Sequence, residues 1–315
     1  MATVLLRGGG KFLLTAAAIF FIGSLPYLIF NMKAQVTVWK LLMDGSLANA
    51  SFLSDHLHFN VSSYFSHVGS TFLQLFHWKD LYYYNFYIEK VPLFPEFFDS
   101  YLESMVTLFS AILLGLVTGI IVTLVVMLLP VRVRKPFHSL LFVLESLPDI
   151  FIVVFFQWTI FYIHEKTGVE LLDTYSLFDD AYVLPIICLS FLPAFYIGKY
   201  LLKTFEEEED RLYVELARGK GMGRLRILLV HISRNALVTF FAHFKTIFWL
   251  GLSNLIALDV LFMNDDGFMV FMVENAPLNP TIFTVGLWMV FVPFYIVMIG
   301  GEALIYSITR SGGTR

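Results

Sequence analysis

Cysteine is all but missing: Cys188 is the single one in 315 residues. It lies in an apolar run, so the chain makes no intramolecular disulfide and no cysteine metal cluster, and its loops must be ordered without covalent staples. Charge is scarce as well. Only 15 % of residues are charged, against roughly 25 % in soluble domains. Hydrophobic residues reach 58 % and the mean hydropathy is +0.75. A soluble core of this size cannot hide that much apolar surface, so lipid must be the solvent for much of the chain. The net charge of −4 gives no sign of nucleic-acid binding. There is no G-x-x-x-x-G-K-[ST] phosphate loop, so the chain does not hydrolyse ATP itself. No nucleophile, base and oxyanion arrangement argues for an enzyme. No clear internal repeat is present, and the one low-complexity stretch is EEEED at 206–210.

What is present is a series of six apolar runs, near 12–31, 102–129, 137–163, 181–203, 236–262 and 281–305. Each is long enough to cross roughly 30 Å of hydrocarbon at about 1.5 Å per residue. The first follows Arg7 and Lys11, is long for a signal h-region, and no clear A-x-A site follows it. An uncleaved first transmembrane helix is expected. With the N-terminus inside, sixteen of the 21 Lys and Arg fall on inner segments. Only Lys33, Lys40, Lys79, Lys90 and Lys166 fall outside. This bias predicts both termini in the cytoplasm and an even number of spans. The expected fold is an all-α integral membrane protein. Residues 1–31 form a cytoplasmic tip and first helix, 32–101 an extracytoplasmic loop, 102–305 a core of five helices, and 306–315 a cytoplasmic tail. The loop carries YYYNFY at 82–87 and PLFPEFF at 92–98. Such rings favour the headgroup layer, so it is expected to fold partly onto the outer membrane surface. Residues 131–136, VRVRKP, read as a tight cytoplasmic turn.

One polar stretch is far longer than a reconnection needs. A loop that only joins two helices takes about 5 residues, but the cytoplasmic segment is expected over 204–235. Its distinctive part, 213–237, reads YVELARGKGMGRLRILLVHISRNAL. Good helix formers lie between Tyr213 and Gly219. Gly219, Gly221 and Gly223 then break the pattern, and Leu225, Ile227, Leu228, Leu229 and Ile232 resume a helical face. The expectation is a short helix, a glycine turn and a second helix entering the membrane. Held at the bilayer surface, the short helix either transmits a push from a partner or rests as a basic amphipathic loop on anionic lipid.

Acids inside the apolar runs are the other signal. Glu145 and Asp149 lie four residues apart in the third run, a spacing that puts both on one helix face. Pro148 between them removes a backbone donor and predicts a kink. An Asp at the bilayer centre costs roughly 2.5–3.5 kcal/mol, so the pair should face a cavity or a partner. They either line a translocation path or pair structurally with Lys199, Lys245 or a neighbouring subunit. Asp259, near the outer end of the fifth run, raises the same question. His56, His58, His67 and His77 fall in the large outer loop beside Asp55, but their spacing fits no standard metal pattern, and no metal is assigned.

Glu215, Leu216 and Ala217, with Gly221 after them, are similar to the EAA loop of permease subunits in binding-protein-dependent ABC importers. LLVHISRNAL downstream and SYLESMVTLFSAILLGLVTGI at 100–120 resemble the B-type subunits of the oligopeptide, dipeptide and nickel branch. The resemblance covers roughly residues 100–305. Leu216 departs from it, and so does FMNDDGFMVFM at 262–272, which keeps only Gly267 of a Pro-Gly-Leu-Gly type segment. The resemblance implies a type I permease core of five helices plus an N-terminal one, in a bacterial cytoplasmic membrane. By this resemblance Tyr213, Glu215, Leu216, Ala217, Arg218, Lys220 and Gly221 are expected to form its coupling helix, seated in a groove on a cytoplasmic ATPase. The implied partners are a second permease, as a heterodimer, two ATPase subunits that hold ATP and Mg, and an extracytoplasmic solute-binding protein. By the same resemblance the chain itself is expected to hold no cofactor, and its cargo is expected to be a peptide or similar small solute. Two further classes stay open: an ion-coupled secondary transporter using Glu145, Asp149 and Asp259, and a non-transport membrane subunit of an ABC-type complex.

Overall fold

The computed structural model describes residues 2–46, 59–85, 87–169, 171–172 and 182–312. Side chains are described for 9–46, 59–85, 87–169, 171–172, 182–233 and 241–301. The chain is mostly helical and divides into two compact units, Met1–Leu102 with Phe268–Arg315, and Glu103–Gly267.

The first unit holds α1 (Ala2–Gly23), α2 (Pro26–Ile29), α3 (Met32–Met43), α4 (Val61–Gln74), the strands β1 (Tyr82–Tyr84) and β2 (Lys90–Pro92), α12 (Phe268–Asn275) and α13 (Pro280–Gly312). The helix expected to run to residue 31 stops at Gly23. Pro26 has no amide hydrogen to continue it and instead opens α2 at its first position. The described apolar part of α1 is Gly9–Gly23, short of the about 20 residues that a span needs. α1 packs on α13 through rings. Phe12 stacks on Phe291 at 5.4 Å and tilts against Tyr295 at 5.1 Å, over a core of Ala16, Ile19 and Phe291.

The outer segment is folded where it is described. Asn31 and Asn60 cap α3 and α4, their side chains accepting from the amides of Ala34 (3.3 Å) and Ser63 (2.9 Å). The YYY of the aromatic run becomes β1, paired antiparallel with β2 so that Tyr83 faces Val91. Asn279 acts as a third strand to it: its amide donates to the Tyr84 carbonyl (3.0 Å) and its oxygen accepts from the Tyr84 N–H (2.9 Å). Tyr83 is buried against Phe271 and donates to Glu96 at 3.3 Å. Burial and that carboxylate push its hydroxyl up to about 12. His56 and His58 lie outside the described residues.

His67 is a core histidine. The residue is 9 % exposed, and its ring stacks on Tyr27 at 3.5 Å and hydrogen-bonds Ser24 Oγ through Nδ1 (2.9 Å) and Thr281 Oγ1 through Nε2 (3.1 Å). It thus ties α4 to the end of α1 and the start of α13. Burial pushes its pKa down to about 4. Below about pH 6.5 the unfolded ring takes up a proton that the folded ring refuses until about pH 4. Stability is therefore full above that window and is lost as pH falls through it, by on the order of 3 kcal/mol. Thermal unfolding of the detergent-solubilised chain should show this loss between pH 6.5 and 4, and His67→Gln should flatten it. An unchanged slope in that variant would place the acid sensitivity elsewhere.

The second unit holds most of α5 (Glu96–Leu128), then α6 (Val131–Glu145), α7 (Asp149–Thr167), α8 (Val183–Glu209), α9 (Leu212–Gly219), α10 (Arg224–Arg226), a π-helical turn (Ile227–Ile232) and α11 (Ser233–Leu261). Glu96–Leu128, Val183–Glu209, Phe241–Leu261 and Pro280–Gly301 are long and apolar enough to cross a membrane. The third expected run is not one helix. α6 and α7 meet at a bend of 94°, so they count as a fifth span only when taken together. Pro148 explains the break: it supplies no donor and disfavours helical backbone at Leu147 before it, and it stands at the N-cap of α7. VRVRKP is not a turn either. It is the first part of α6, and the helix break falls one step earlier, at Pro130.

α5 and α8 cross at close range. A Cβ built on Gly115 would stand 3.1 Å from the Ser190 carbonyl, and one on Gly119 3.1 Å from that of Ala194. Thr123 donates across the crossing to the Gly198 carbonyl at 3.3 Å. Small residues four apart on each helix permit this approach, which is how helices bind each other where lipid offers no hydrophobic gain.

Candidate functional site

The segment that stood out in the sequence folds as a short helix and a glycine turn. In α9 the Met222 amide donates to the Ala217 carbonyl (3.2 Å) and the Gly221 amide to that of Arg218 (2.9 Å). This is a Schellman ending, and it needs a left-handed residue just past the helix. Gly221 provides it at φ +75°. Val214 and Ala217 are buried where α9 packs on the π-helical turn, whose Ile227, Leu228 and Ile232 are buried in turn. The opposite face is open: Leu212 is 82 % and Leu216 62 % exposed, with Glu215 and Lys220 exposed beside them.

Behind this helix lies a constellation that pattern reading missed. The acidic run 206–210 is not merely a solvated charge stretch. Glu206 pairs with His138 of α6 at 2.9 Å, and Glu208 accepts from the Tyr213 hydroxyl at 2.6 Å. Burial and that carboxylate raise the Tyr213 pKa. Glu209 is the hub. Its Oε2 meets Arg134 Nη1 at 2.7 Å, and its Oε1 meets Arg218 at 2.9 Å and Arg224 at 3.3 Å. Arg134, only 4 % exposed, also donates to the carbonyls of Met127 (3.0 Å) and Leu129 (3.3 Å), groups that the C-terminus of α5 leaves open. One carboxylate therefore joins the end of α8 to α6, to the end of α5, to α9 and to the segment after the glycine turn. Carboxylates followed at once by arginines were visible in the sequence, but nothing there distinguished Glu209 from its neighbours.

The acids of the third run are not brought together. Glu145 ends α6 and accepts from Lys199 of α8 at 2.6 Å, the structural pairing that was one of its two expected roles. Asp149 opens α7, where a carboxylate is favoured by the helix dipole, and is hydrogen-bonded to Asn254 of α11. It lines a narrow, mainly apolar cavity with Ile152, Val153, Cys188, Leu192 and Asn254. The single-face expectation fails because the Pro148 break turns the chain between the two residues. Asp259 lies apart from both, in the last turn of α11.

Residues 111–310, more than half of the chain, match the family described as binding-protein-dependent transport system inner membrane component. No curated protein matches the chain.

Proposed function

Since the chain belongs to the family of binding-protein-dependent transport system inner membrane components, we propose that it is the permease subunit of an ABC importer for peptides or similar small solutes, driven through α9 by a separate ATPase. Membership of the family accounts for a multi-pass membrane protein with ATPase and solute-binding partners. The observation that carries the coupling role is the two-sided character of α9: an open face of Leu212, Glu215 and Leu216, and a back face held through Arg218 to Glu209. An apolar stripe beside a carboxylate suits a groove on a partner protein better than bulk water. Leu216, the departure from the resembled pattern, then adds to the docking face.

ATP-driven closure of two ATPases presses on α9. The Glu209 junction passes that displacement to α5, α6 and α8 as one body, and the permease exchanges inward for outward access against a second permease, most simply a different chain. Of the two acids in the third run, Asp149 is the better placed to face the path, since it lines a cavity, whereas Glu145 is held by Lys199. The divergent 262–272 segment supports no choice of cargo within the class.

The test is docking. Gly221→Glu forces a side chain into left-handed backbone, at a cost of roughly 1–2 kcal/mol, and Glu215→Lys inverts a charge on the open face. Both variants should insert at wild-type levels yet retain less than a tenth of the ATP-hydrolysing subunit that co-purifies with the unmutated chain. Undiminished recovery of that subunit in both would show that α9 is not where it docks.

A further inference from the structure

The last turn of α11 and the loop after it enclose an acidic cavity with no use in the coupling scheme. Asp259 is 3 % exposed. Its Oδ1 accepts from Asn264 Nδ2 at 3.4 Å, while its buried Oδ2 has no hydrogen-bond partner among the described residues. The loop folds back tightly to hold this arrangement. The Asn264 amide donates to the Asp259 carbonyl at 2.8 Å, and Met263 takes a left-handed φ of +55°. Gly267 leaves the carboxylate its space, because a Cβ there would stand 2.5 Å from Oδ2. Around the cavity stand Glu103, Ser104 and Thr107 of α5, Tyr182 just before α8, and Asn264. It has room for one water-sized species, about 10 Å³. Among the described residues, no Lys, Arg or His lines it.

We propose that this cavity is a calcium site. A buried carboxylate oxygen that no described protein group donates to is disfavoured unless a proton or a positive charge joins it, and a second carboxylate, Glu103, lines the same space. The side-chain donors are oxygens throughout: carboxylate, amide and hydroxyl. Such a set takes a hard cation. A divalent ion is attracted by both carboxylates at once, and more strongly than a monovalent one. Magnesium demands near-ideal octahedral geometry and keeps several waters, which a cavity for one water-sized species does not hold. Calcium accepts irregular shells of 6–8 oxygens. Among the described residues, no three His, Cys, Asp or Glu side chains cluster, so Ser104, Thr107, Asn264 and backbone carbonyls must complete the shell. The bound ion would fasten the start of α5 and the loop after α11 to one centre. This holds whether or not α9 docks an ATPase.

The experiment is calcium binding to the detergent-solubilised full-length chain by equilibrium dialysis with radioactive calcium, alongside thermal unfolding. Wild type should bind about one ion with a Kd on the order of 0.1–1 mM, the range of extracellular modules. A tenfold excess of magnesium or sodium should not displace it, and its thermal midpoint should rise with calcium. Asp259→Asn and Glu103→Gln should each weaken binding at least about tenfold, about 1.4 kcal/mol, and remove the calcium-dependent rise. If Asp259→Asn does not fold, Glu103→Gln and Asn264→Ala decide. Absence of binding at 5 mM calcium, equal displacement by magnesium or sodium, or undiminished binding in the carboxylate variants would overturn the site. An Asp259 that merely carries a proton gives the first of these results.

Discussion

Replacing Glu209 by alanine is expected to cost on the order of 3–5 kcal/mol, because it leaves Arg134 charged and buried without its carboxylate. The figure applies to the Arg134 branch alone, where both side chains are largely shielded, at 5 % and 15 % exposure. The Arg218 and Arg224 branches are half-open and add little to stability. Their expected contribution is mechanical. In the proposed scheme Arg218 is the strap between α9 and the end of α8, so Glu209→Ala should also abolish ATP-driven uptake. These two losses separate in a second variant. Glu209→Met combined with Arg134→Met removes both buried charges in favour of apolar side chains of similar volume, a replacement that is often neutral or stabilising. Stability should recover most of the way, while uptake stays below about a tenth of wild type because Arg218 still has no anchor. Full recovery of uptake in the double variant would show that the Arg218 strap carries no load. Thermal unfolding in detergent and uptake into vesicles, measured on the same preparations, read the two effects.

The contrast between what was legible and what was not follows from interaction range. Helix, glycine turn and helix over 213–237 could be read from local chemistry, since the Schellman ending closes within residues 217–222 and depends on the left-handed backbone at Gly221. The Pro148 kink was local too, but its size was not. A proline predicts a bend, while 94° depends on what α6 and α7 each pack against, and that bend separated Glu145 from Asp149. The hairpin in the aromatic run was hidden because its strands are three residues each, too short for a period of two to register. The Glu209 hub was hidden because its partners come from positions 134, 218 and 224, and sequence spacing carries no information on a meeting at that distance. Asp259 was seen as an acid in an apolar run. Its unpartnered oxygen belongs to the fold of the 262–267 loop, whose divergence from the resembled segment had marked only a difference.

Gly119→Leu should be among the most damaging substitutions in the membrane-spanning part. The atoms nearest to a Cβ at this position are Ile197 Cγ2 at 3.0 Å, the Ala194 carbonyl at 3.1 Å and the Gly198 amide at 3.2 Å. Two of the three are backbone, which cannot rotate away as a side chain can. Leucine adds three further carbons beyond that Cβ, so α5 and α8 must separate, and the Thr123 bond to the Gly198 carbonyl is lost with them. Overpacking costs about 1–3 kcal/mol in cores that can shift. With backbone as the obstacle the loss should reach or exceed the top of that range, even after the gain of about 1 kcal/mol for replacing glycine in a helix. Gly119→Ala tests the gradation, since its single methyl needs only a few tenths of an ångström and should be tolerated with a small loss. Gly69 is the control: it is helical, in α4, and a Cβ there meets nothing within 4 Å, so Gly69→Leu should be neutral or slightly stabilising. The measurement is the yield and thermal midpoint of monodisperse protein for all three. If Gly119→Leu proves as benign as Gly69→Leu, small residues are not what lets α5 and α8 meet, and the thread from Glu209 through α8 to α5 loses the rigid crossing on which it depends.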